Sequence, residues 1–208
     1  MTGRRVSQSG ADTRARIIEA TLRTLKEEGV VGTSARSIAQ AGGFNAALIF
    51  YHFGTISDLL VAAVEHNSAD AITRYGQRLA GVRTLSELVE VATALYRQDA
   101  AGNVTILTQL LAAAASDPEL GQRLLAVFDP WIALVRDVLD RVLEGTPFAG
   151  MVPSEDVAFG VTSLFLGLEL LTHLGQDFTR GERLLAQLGM AAGLAEGLLE
   201  LGSHAADS

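Results

Sequence analysis

Residues 34–60 read SARSIAQAGGFNAALIFYHFGTISDLL, and they are the most informative part of the sequence about its fold. This stretch predicts two short helices, one capped by Ser34 and ended at Gly43, the next capped by Asn45 and ended at Gly54. Ser and Asn are favoured helix N-caps, and a tight turn between two helices needs a residue that adopts positive φ. Two short helices joined by a glycine turn predict a helix-turn-helix, whose second helix enters the major groove of DNA.

The remainder of the chain also has the periodicity of helices. Ile18, Leu22 and Leu25 recur at helical spacing, and Thr55 with Asp58 has the spacing of a capping box. No alternating pattern indicates a pair of strands, so the predicted fold is all-α. The predicted helices span residues 11–28, 34–41, 45–51, 55–78, 84–100, 103–115, 118–127, 130–144, 154–174 and 181–201.

Composition and charge exclude several classes of protein. The 208 residues include no cysteine, which rules out a disulfide scaffold, a thiolate metal site and a cysteine nucleophile. The net charge is −8, but residues 1–60 hold seven Arg and Lys against five Asp and Glu, a net charge of +2. Residues 61–208 carry the remaining −10, so only the N-terminal end is suited to a polyanion.

Other kinds of site have no support in the sequence. His66, His173 and His204 lack a second ligand at helical spacing, and no catalytic constellation is present, so we expect no metal, no cofactor and no enzymatic activity. The uncharged run 157–168 is shorter than the roughly 20 residues that cross a bilayer. No targeting segment is recognisable, and we expect a cytoplasmic protein without a membrane partner.

The motif residues resemble the DNA-binding signature of TetR-type transcriptional regulators, over about residues 11–65. The matching residues, in register, are Ile38-Ala39, Gly43-Phe44-Asn45, Phe50-Tyr51-His52-Phe53, Gly54-Thr55 and Leu59-Leu60. The resemblance implies a flexible N-terminal arm at 1–10 and a helix-turn-helix domain at 11–72. It also implies a C-terminal helical domain for ligand binding and dimerisation at 80–208.

Three departures from the family pattern concern DNA binding. Ile56 stands where the family often has a phosphate-binding lysine, and Phe50 stands where a tyrosine hydroxyl reaches a phosphate. Ala46 and Ala47 begin the second helix without the usual polar side chains. Few residues are left for hydrogen-bonded reading of bases, although an alanine methyl group can contact a thymine methyl group.

The resemblance and the helix positions predict one set of residues at the DNA. These are Thr33, Ser34, Arg36, Asn45, Ala46, Tyr51 and His52. The alternatives are a solvated side chain for Arg36, packing within the protein for the rings of Tyr51 and His52, and a role as helix cap alone for Ser34. Arg4, Arg5, Arg14 and Arg16 can follow the DNA backbone or minor groove, but a disordered tail is the more common outcome for such a segment.

The last two predicted helices, 154–174 and 181–201, are apolar on most faces and must be buried on most faces. Gly189, Gly193 and Gly197 recur every four residues, which indicates close approach to a neighbouring helix. We expect a homodimer interface there, and packing within the chain is the alternative. The predicted interface residues are Val161, Leu164, Leu168, Gly189, Gly193 and Gly197.

The resemblance also implies a ligand cavity enclosed by the helices of residues 84–144 and the helix that follows. The candidate wall residues are Tyr96, Thr105, Thr108, Gln109, Phe128, Trp131, Phe165, Glu169 and His173. Each of them is more often a core residue than a ligand contact. Glu169 and His173 lie four residues apart on one helix face and can pair as a polar anchor.

The sequence therefore favours a homodimeric, ligand-responsive regulator that binds double-stranded operator DNA. The resemblance implies a repressor, released when a small, mainly apolar effector shifts the helix at 55–78. The first alternative is a helical ligand-binding or adaptor protein whose DNA-binding head is degenerate. An α-helical enzyme is the second alternative, and no catalytic constellation supports it.

Overall fold

The computed structural model describes residues 2–99, 110–111, 114–115, 117–146, 148–175 and 177–206. Its helices are α1 (Thr2–Gly32), α2 (Ala35–Gly42), α3 (Ala47–Phe53), α4 (Ile56–Leu79), α5 (Leu85–Asp99), α6 (Pro118–Ala126), α7 (Asp129–Leu143), α8 (Ser154–Gly175) and α9 (Thr179–Ala206). None of the residues described lies in a strand, and the all-α prediction is confirmed. The helix predicted at 103–115 falls largely outside them.

The first helix is longer than the sequence predicts. It begins at Thr2 and is interrupted at Gly29, whose φ of 66° favours glycine. The hydroxyl of Thr33 donates to the Gly29 carbonyl at 2.7 Å and fastens the break. The segment 1–10 was expected as a flexible arm, but helix extends through its described residues. A role for that segment at DNA stays a prediction.

The chain divides into two compact units. The head unit comprises residues 1–70 and 105–127, and the body unit comprises residues 71–104 and 128–208. Residues 105–127 thus associate with the head, although the sequence assigns them to the C-terminal domain. The apolar face of a helix shows that the helix is buried, but not which unit buries it.

Each unit has its own apolar core. The head core consists of Ile17, Ile18, Ala20, Ile38, Ile49, Phe53, Leu59, Ala62 and Ala63. The body core consists of Ala71, Tyr75, Leu79, Val82, Leu95, Val138 and Val142. The helix α4 contributes to both cores, because Leu59 and Tyr75 lie at opposite ends of it. Within the body, α5 packs on α9 and α7 packs on α8.

A helix that crosses a bilayer must be both long and apolar. In the described part of the chain, no single helix is long and apolar enough to cross a membrane. The pair α3 and α4, bent by 69°, passes the test when taken together. Its apolar residues include Ile49, Phe53 and Leu59, which are buried in the head core.

Candidate nucleic-acid interface

Two serines fix the beginning of α2. The Ser37 N–H donates to Ser34 Oγ at 3.1 Å, and the Ser34 N–H donates to Ser37 Oγ at 2.8 Å. This reciprocal pair is a capping box with Ser in place of the usual Glu. The predicted capping role of Ser34 is confirmed, and Ser37 is a partner that the sequence did not single out.

The two glycines between α2 and α3 have different roles. Gly43 adopts the left-handed conformation, with φ 64°, and its N–H bonds the last carbonyls of α2. The ring of Phe44 covers Gly42 so closely that no Cβ would fit there. The turn therefore needs one glycine for backbone conformation and the other for packing.

The helix α3 has one buried face and one exposed face. Ile49 and Phe53 lie in the head core, whereas Ala47, Phe50 and Tyr51 are exposed. The exposed fraction is 50% for Phe50 and 82% for Tyr51. At the N-terminus, Asn45 Oδ1 accepts from the Ala47 N–H at 2.9 Å, which confirms Asn45 as a cap.

Two arginines of α1 hold the motif helices in place. Arg14 Nη1 donates to the His52 carbonyl at 3.1 Å, and its guanidinium lies 4.2 Å above the centre of the Phe53 ring. Arg23 Nη2 donates to the Ala41 carbonyl at 3.1 Å. Arg14 was considered as part of a DNA-binding arm, but here it positions the C-terminal end of α3. Sequence periodicity gave no sign of these contacts, because they join residues far apart in the chain.

The N-terminus of α4 is held by a capping box and an ion pair. Thr55 and Asp58 exchange hydrogen bonds as predicted: the Asp58 N–H donates to Thr55 Oγ1 at 3.0 Å, and the Thr55 hydroxyl donates to Asp58 Oδ2 at 2.6 Å. Arg123 of α6 donates to the other carboxylate oxygen. The Thr55 hydroxyl and the Arg123 guanidinium hold the pKa of Asp58 below its ordinary value.

The remaining DNA-binding candidates differ in exposure. Arg36 is exposed on α2, and the His52 ring is half-buried and lies edge-on to the Tyr51 ring, with 5.0 Å between the two ring centres. The hydroxyl of Thr33 is engaged with the backbone of α1. Ala46 is half-buried beside the exposed Ala47. Ile56, in the position where the family often has lysine, packs against the head core.

The predicted ligand-binding residues form two aromatic groups in the body. Tyr96 is fully buried, with its hydroxyl bonded to that of Thr172 and its ring edge-on to Phe165 and Phe178 at 6.2 and 5.9 Å. The centre of the Trp131 ring lies 5.4 Å from the centre of the Tyr75 ring. Tyr96 thus occupies a core position, and Thr172 is a partner that the sequence did not identify.

Other candidates in the body are only partly described. Phe128 and Glu169 are half-buried. Thr105, Thr108, Gln109 and the side chain of His173 lie outside the described residues, so the expected Glu169–His173 pair stays a prediction. On the same face of α8, the buried Oγ1 of Thr162 has no hydrogen-bond partner.

A shallow groove of about 250 Å³ lies between α5 and α9. It is lined by Val89, Glu90, Thr93, Arg97, Leu185 and Gly189, among others. Arg97 Nε donates to Glu182 Oε1 at 2.8 Å beside it. None of these residues belongs to the set predicted for a ligand.

The glycines of α9 approach a helix of the same chain. A Cβ on Gly189 would lie 3.5 Å from Val89, and one on Gly193 would lie 3.7 Å from Ser86 Oγ, both in α5. For these two glycines, the close approach expected with a partner chain is made within the chain. A Cβ on Gly197 would meet nothing within 4 Å.

The apolar side chains that remain exposed lie on other faces of α8 and α9. Of the predicted interface residues, Val161 and Leu164 are exposed and Leu168 is half-buried. Further exposed apolar residues are Phe159, Leu171, Leu174, Leu184, Leu188, Met190, Leu194 and Leu198. The leucines of α9 are not among the predicted interface residues, because the spacing of the glycines indicates the opposite face of the helix.

Known proteins resemble the chain both in the motif and in the fold. Residues 17–63 match the model of the family described as bacterial regulatory proteins, tetR family. An uncharacterized HTH-type transcriptional regulator of Mycobacterium tuberculosis is 26% identical over 139 residues, which are 66% of this chain and 71% of the relative.

Solved structures of low sequence identity share the fold. A TetR-family regulator from Cytophaga hutchinsonii has a TM-score of 0.71 at 18% identity, covering 89% of this chain and 95% of that one. The regulator FadR from Bacillus subtilis, solved in complex with stearoyl-CoA, has a TM-score of 0.64 at 16% identity, covering 85% and 95%. On the match of residues 17–63 and the HTH-type relatives, the chain is a DNA-binding transcriptional regulator whose helix-turn-helix region is that of the tetR family of bacterial regulatory proteins.

Proposed function

We propose that the chain is a homodimeric repressor that leaves its operator when a mainly apolar small molecule binds in the body unit. The observation that carries this proposal is the head unit, in which α3 is fastened at both ends and keeps one face exposed. A degenerate head would have no reason to retain the capping boxes and the arginine contacts. The intact head therefore disfavours the adaptor alternative.

The DNA contacts that we propose come from exposed residues around this helix. Arg36 and Tyr51 extend into solvent, and the N-terminal residues 1–60 carry a net charge of +2. Ser34, with Thr33 beside it, can offer a hydroxyl to a phosphate at the N-terminus of α2. Such contacts position the protein on the duplex, and residues on α3 read the bases.

The dimer that we propose uses the exposed leucines of α8 and α9. Leu194 follows Gly189 by five residues, and Leu198 follows Gly193 by five, so each leucine lies about 140° around the axis from its glycine. Since α5 covers the glycine side, the leucine side is left for a partner. A two-fold dimer places two recognition helices about 34 Å apart, one turn of DNA.

The effector that we propose is an apolar molecule with one or two polar atoms. The FadR relative was solved with stearoyl-CoA, which has a long acyl chain. On α8, Phe165 and half-buried Glu169 follow Thr162, whose hydroxyl is unpartnered, by three and seven residues on one side of the helix, a combination suited to an apolar body with a polar end. A ligand that buries about 300 Å² of apolar surface gains about 7 kcal/mol before the entropic cost of binding.

The ligand would act on DNA binding through α4. This helix contributes to both cores, and its N-terminus is bonded to Arg123. A ligand changes the population of DNA-binding dimers only if it prefers one position of α4 over another.

Two experiments with the purified full chain test the proposal. A gel shift on upstream DNA at several salt concentrations tests sequence-specific binding, and its absence would favour the adaptor alternative. Thermal shift and Trp131 fluorescence, with fatty acyl, aromatic and phosphorylated compounds, test the effector. Stabilisation only by phosphorylated or polyanionic compounds that carry neither an acyl chain nor an aromatic ring would contradict an apolar effector.

A further inference from the structure

The face that α3 presents to solvent is apolar. Its members are Ala47, Phe50 and Tyr51, spaced as one face of a helix, with Ile49 and Phe53 on the buried side. All residues of α3 are described, and its exposed face carries one hydroxyl, that of Tyr51, and no charged or amide side chain.

Two polar side chains next to this face contact α3 itself. Asn45 Oδ1 accepts from the Ala47 N–H, so that only the NH2 group of this exposed side chain can meet other partners, and the half-buried His52 ring lies edge-on to Tyr51. Ile56 packs into the head core. The centre of the exposed face is therefore formed by the Ala47 methyl group and the Phe50 ring.

The edges of the bases in the major groove require different partners. Guanine is read by Arg or Lys, adenine by Asn or Gln, and cytosine by Asp or Glu, whereas the thymine methyl group is read by apolar contact. The face of α3 offers only the last kind of partner at its centre. Arg14 fastens the end of the helix to α1, so the apolar atoms are held in a fixed position.

We infer that this regulator recognises its operator mainly through thymine 5-methyl groups, contacted by Ala47 and Phe50. The inference rests on the DNA-binding role of the chain and adds the chemical group that gives base specificity. The duplex suits this face better than a protein partner does, because the surrounding N-terminal residues 1–60 are net positive while the remainder of the chain is acidic.

The test begins with a randomised duplex library, from which the purified full chain selects its preferred sequence. The selected duplex is then synthesised with deoxyuridine in place of thymidine, one symmetric pair of positions at a time. This exchange removes only the methyl group and leaves base pairing intact. Each lost contact should weaken binding about fourfold, and a symmetric pair about fifteenfold.

Two protein variants connect the effect to the residues. In Phe50→Ala, which keeps a strong helix former, the uridine penalty should fall below twofold at the positions that Phe50 contacts. In Ala47→Gly, the same should hold at a different pair of positions. Ala94→Gly, at an exposed site of α5, has the same backbone cost and should retain every uridine penalty. Thermal unfolding checks that the variants are folded.

The outcomes separate the inference from the role on which it rests. Failure to enrich any sequence would contradict the DNA-binding role and the inference with it. Enrichment of one sequence, with every uridine exchange within twofold of the parent duplex, would leave the role intact and overturn the inference. Uridine penalties that persist unchanged in both Phe50→Ala and Ala47→Gly would also overturn it.

Discussion

The guanidinium of Arg123 in α6 is bonded to the carboxylate of Asp58 in the first turn of α4. The other oxygen of this carboxylate accepts from the backbone and hydroxyl of Thr55, so one side chain serves as both capping group and ion-pair partner. Arg123 lies in the segment 105–127, which belongs to the head unit. The residues before this segment, 71–104, and after it, 128–208, belong to the body unit. The contact therefore ties this segment to the helix that both units share.

Replacing Asp58 by Asn should lower the free energy of unfolding by about 1 kcal/mol at neutral pH, because it weakens a capping box and an ion pair. The pKa of Asp58 is depressed in the folded protein, so its stabilising effect is fully present above the ordinary pKa near 4 and is lost as the pH falls through the lower pKa of the folded state. Urea unfolding at pH 7, 4.5 and 3 should show the difference between parent and variant become smaller at the lowest pH. Asp137→Asn, in an exposed pair with Arg136, is the control and should have little effect at any pH.

Replacing Gly181 by Ala should destabilise the body unit by about 1–3 kcal/mol, because the buried Tyr96 ring leaves no room for a Cβ. Gly76→Ala is the control, since a Cβ there meets only Leu134 at 3.8 Å, an ordinary contact. The gain in helix propensity should stabilise that variant by up to about 1 kcal/mol. Equal effects of the two substitutions on the thermal midpoint would contradict the close packing of Tyr96 on Gly181.

Replacing Leu194 by Lys should convert the proposed dimer to a folded monomer. Leu194 is 70% exposed in the single chain, so the lysine does not disturb the fold, but in the dimer it would place a charge in the apolar interface. Sedimentation velocity measures the change. Leu125→Lys introduces the same charge at an exposed leucine of α6 and should leave the dimer intact. A Leu194→Lys protein that sediments as the parent does would move the interface elsewhere. Substitution of Gly193 is a poorer test, because this glycine faces Ser86 within the chain.

Replacing Arg36 by Ala should weaken binding to the selected duplex and reduce the dependence on salt by about one phosphate contact, because the proposed partner of its guanidinium is the DNA backbone. Tyr51→Phe, which removes only a hydroxyl, should weaken binding to all duplexes by a similar factor. Fluorescence anisotropy across salt concentrations measures both effects. The matched control is Arg180→Ala, at an exposed site in the body, which should bind as the parent does. If all three variants bound the duplex with the affinity of the parent, the proposed contacts of Arg36 and Tyr51 would be excluded.

Local patterns in the sequence were sufficient to predict the motif. Ser34, Asn45 and the Thr55–Asp58 pair cap helices because capping depends on residues within one turn of each other. The positive φ of Gly43 was predictable for the same reason. The helices in the described part of the chain lie close to their predicted ranges, apart from α1, which begins earlier and ends later than predicted, and α9, which ends at Ala206 and not near residue 201.

Contacts between distant segments could not be predicted in this way. Glu196 of α9 accepts from Ser86 N–H and Oγ at 2.9 and 2.6 Å and so caps the N-terminus of α5. Burial raises the pKa of Glu196, but the bonds from Ser86 and its neighbours outweigh this effect and leave the pKa below its ordinary value. The spacing of the glycines indicated close approach correctly, but the partner is α5 of the same chain at Gly189 and Gly193.

Ligand-controlled repression is measured most directly by a titration of the selected duplex, at constant salt, with the full chain in the presence and absence of a fatty acyl compound that stabilises it. We expect two protomers on each symmetric duplex and release of the duplex as the compound is added. Specific binding that no stabilising compound weakens would contradict ligand-controlled repression, and binding of equal affinity to every duplex would contradict the reading of DNA sequence itself.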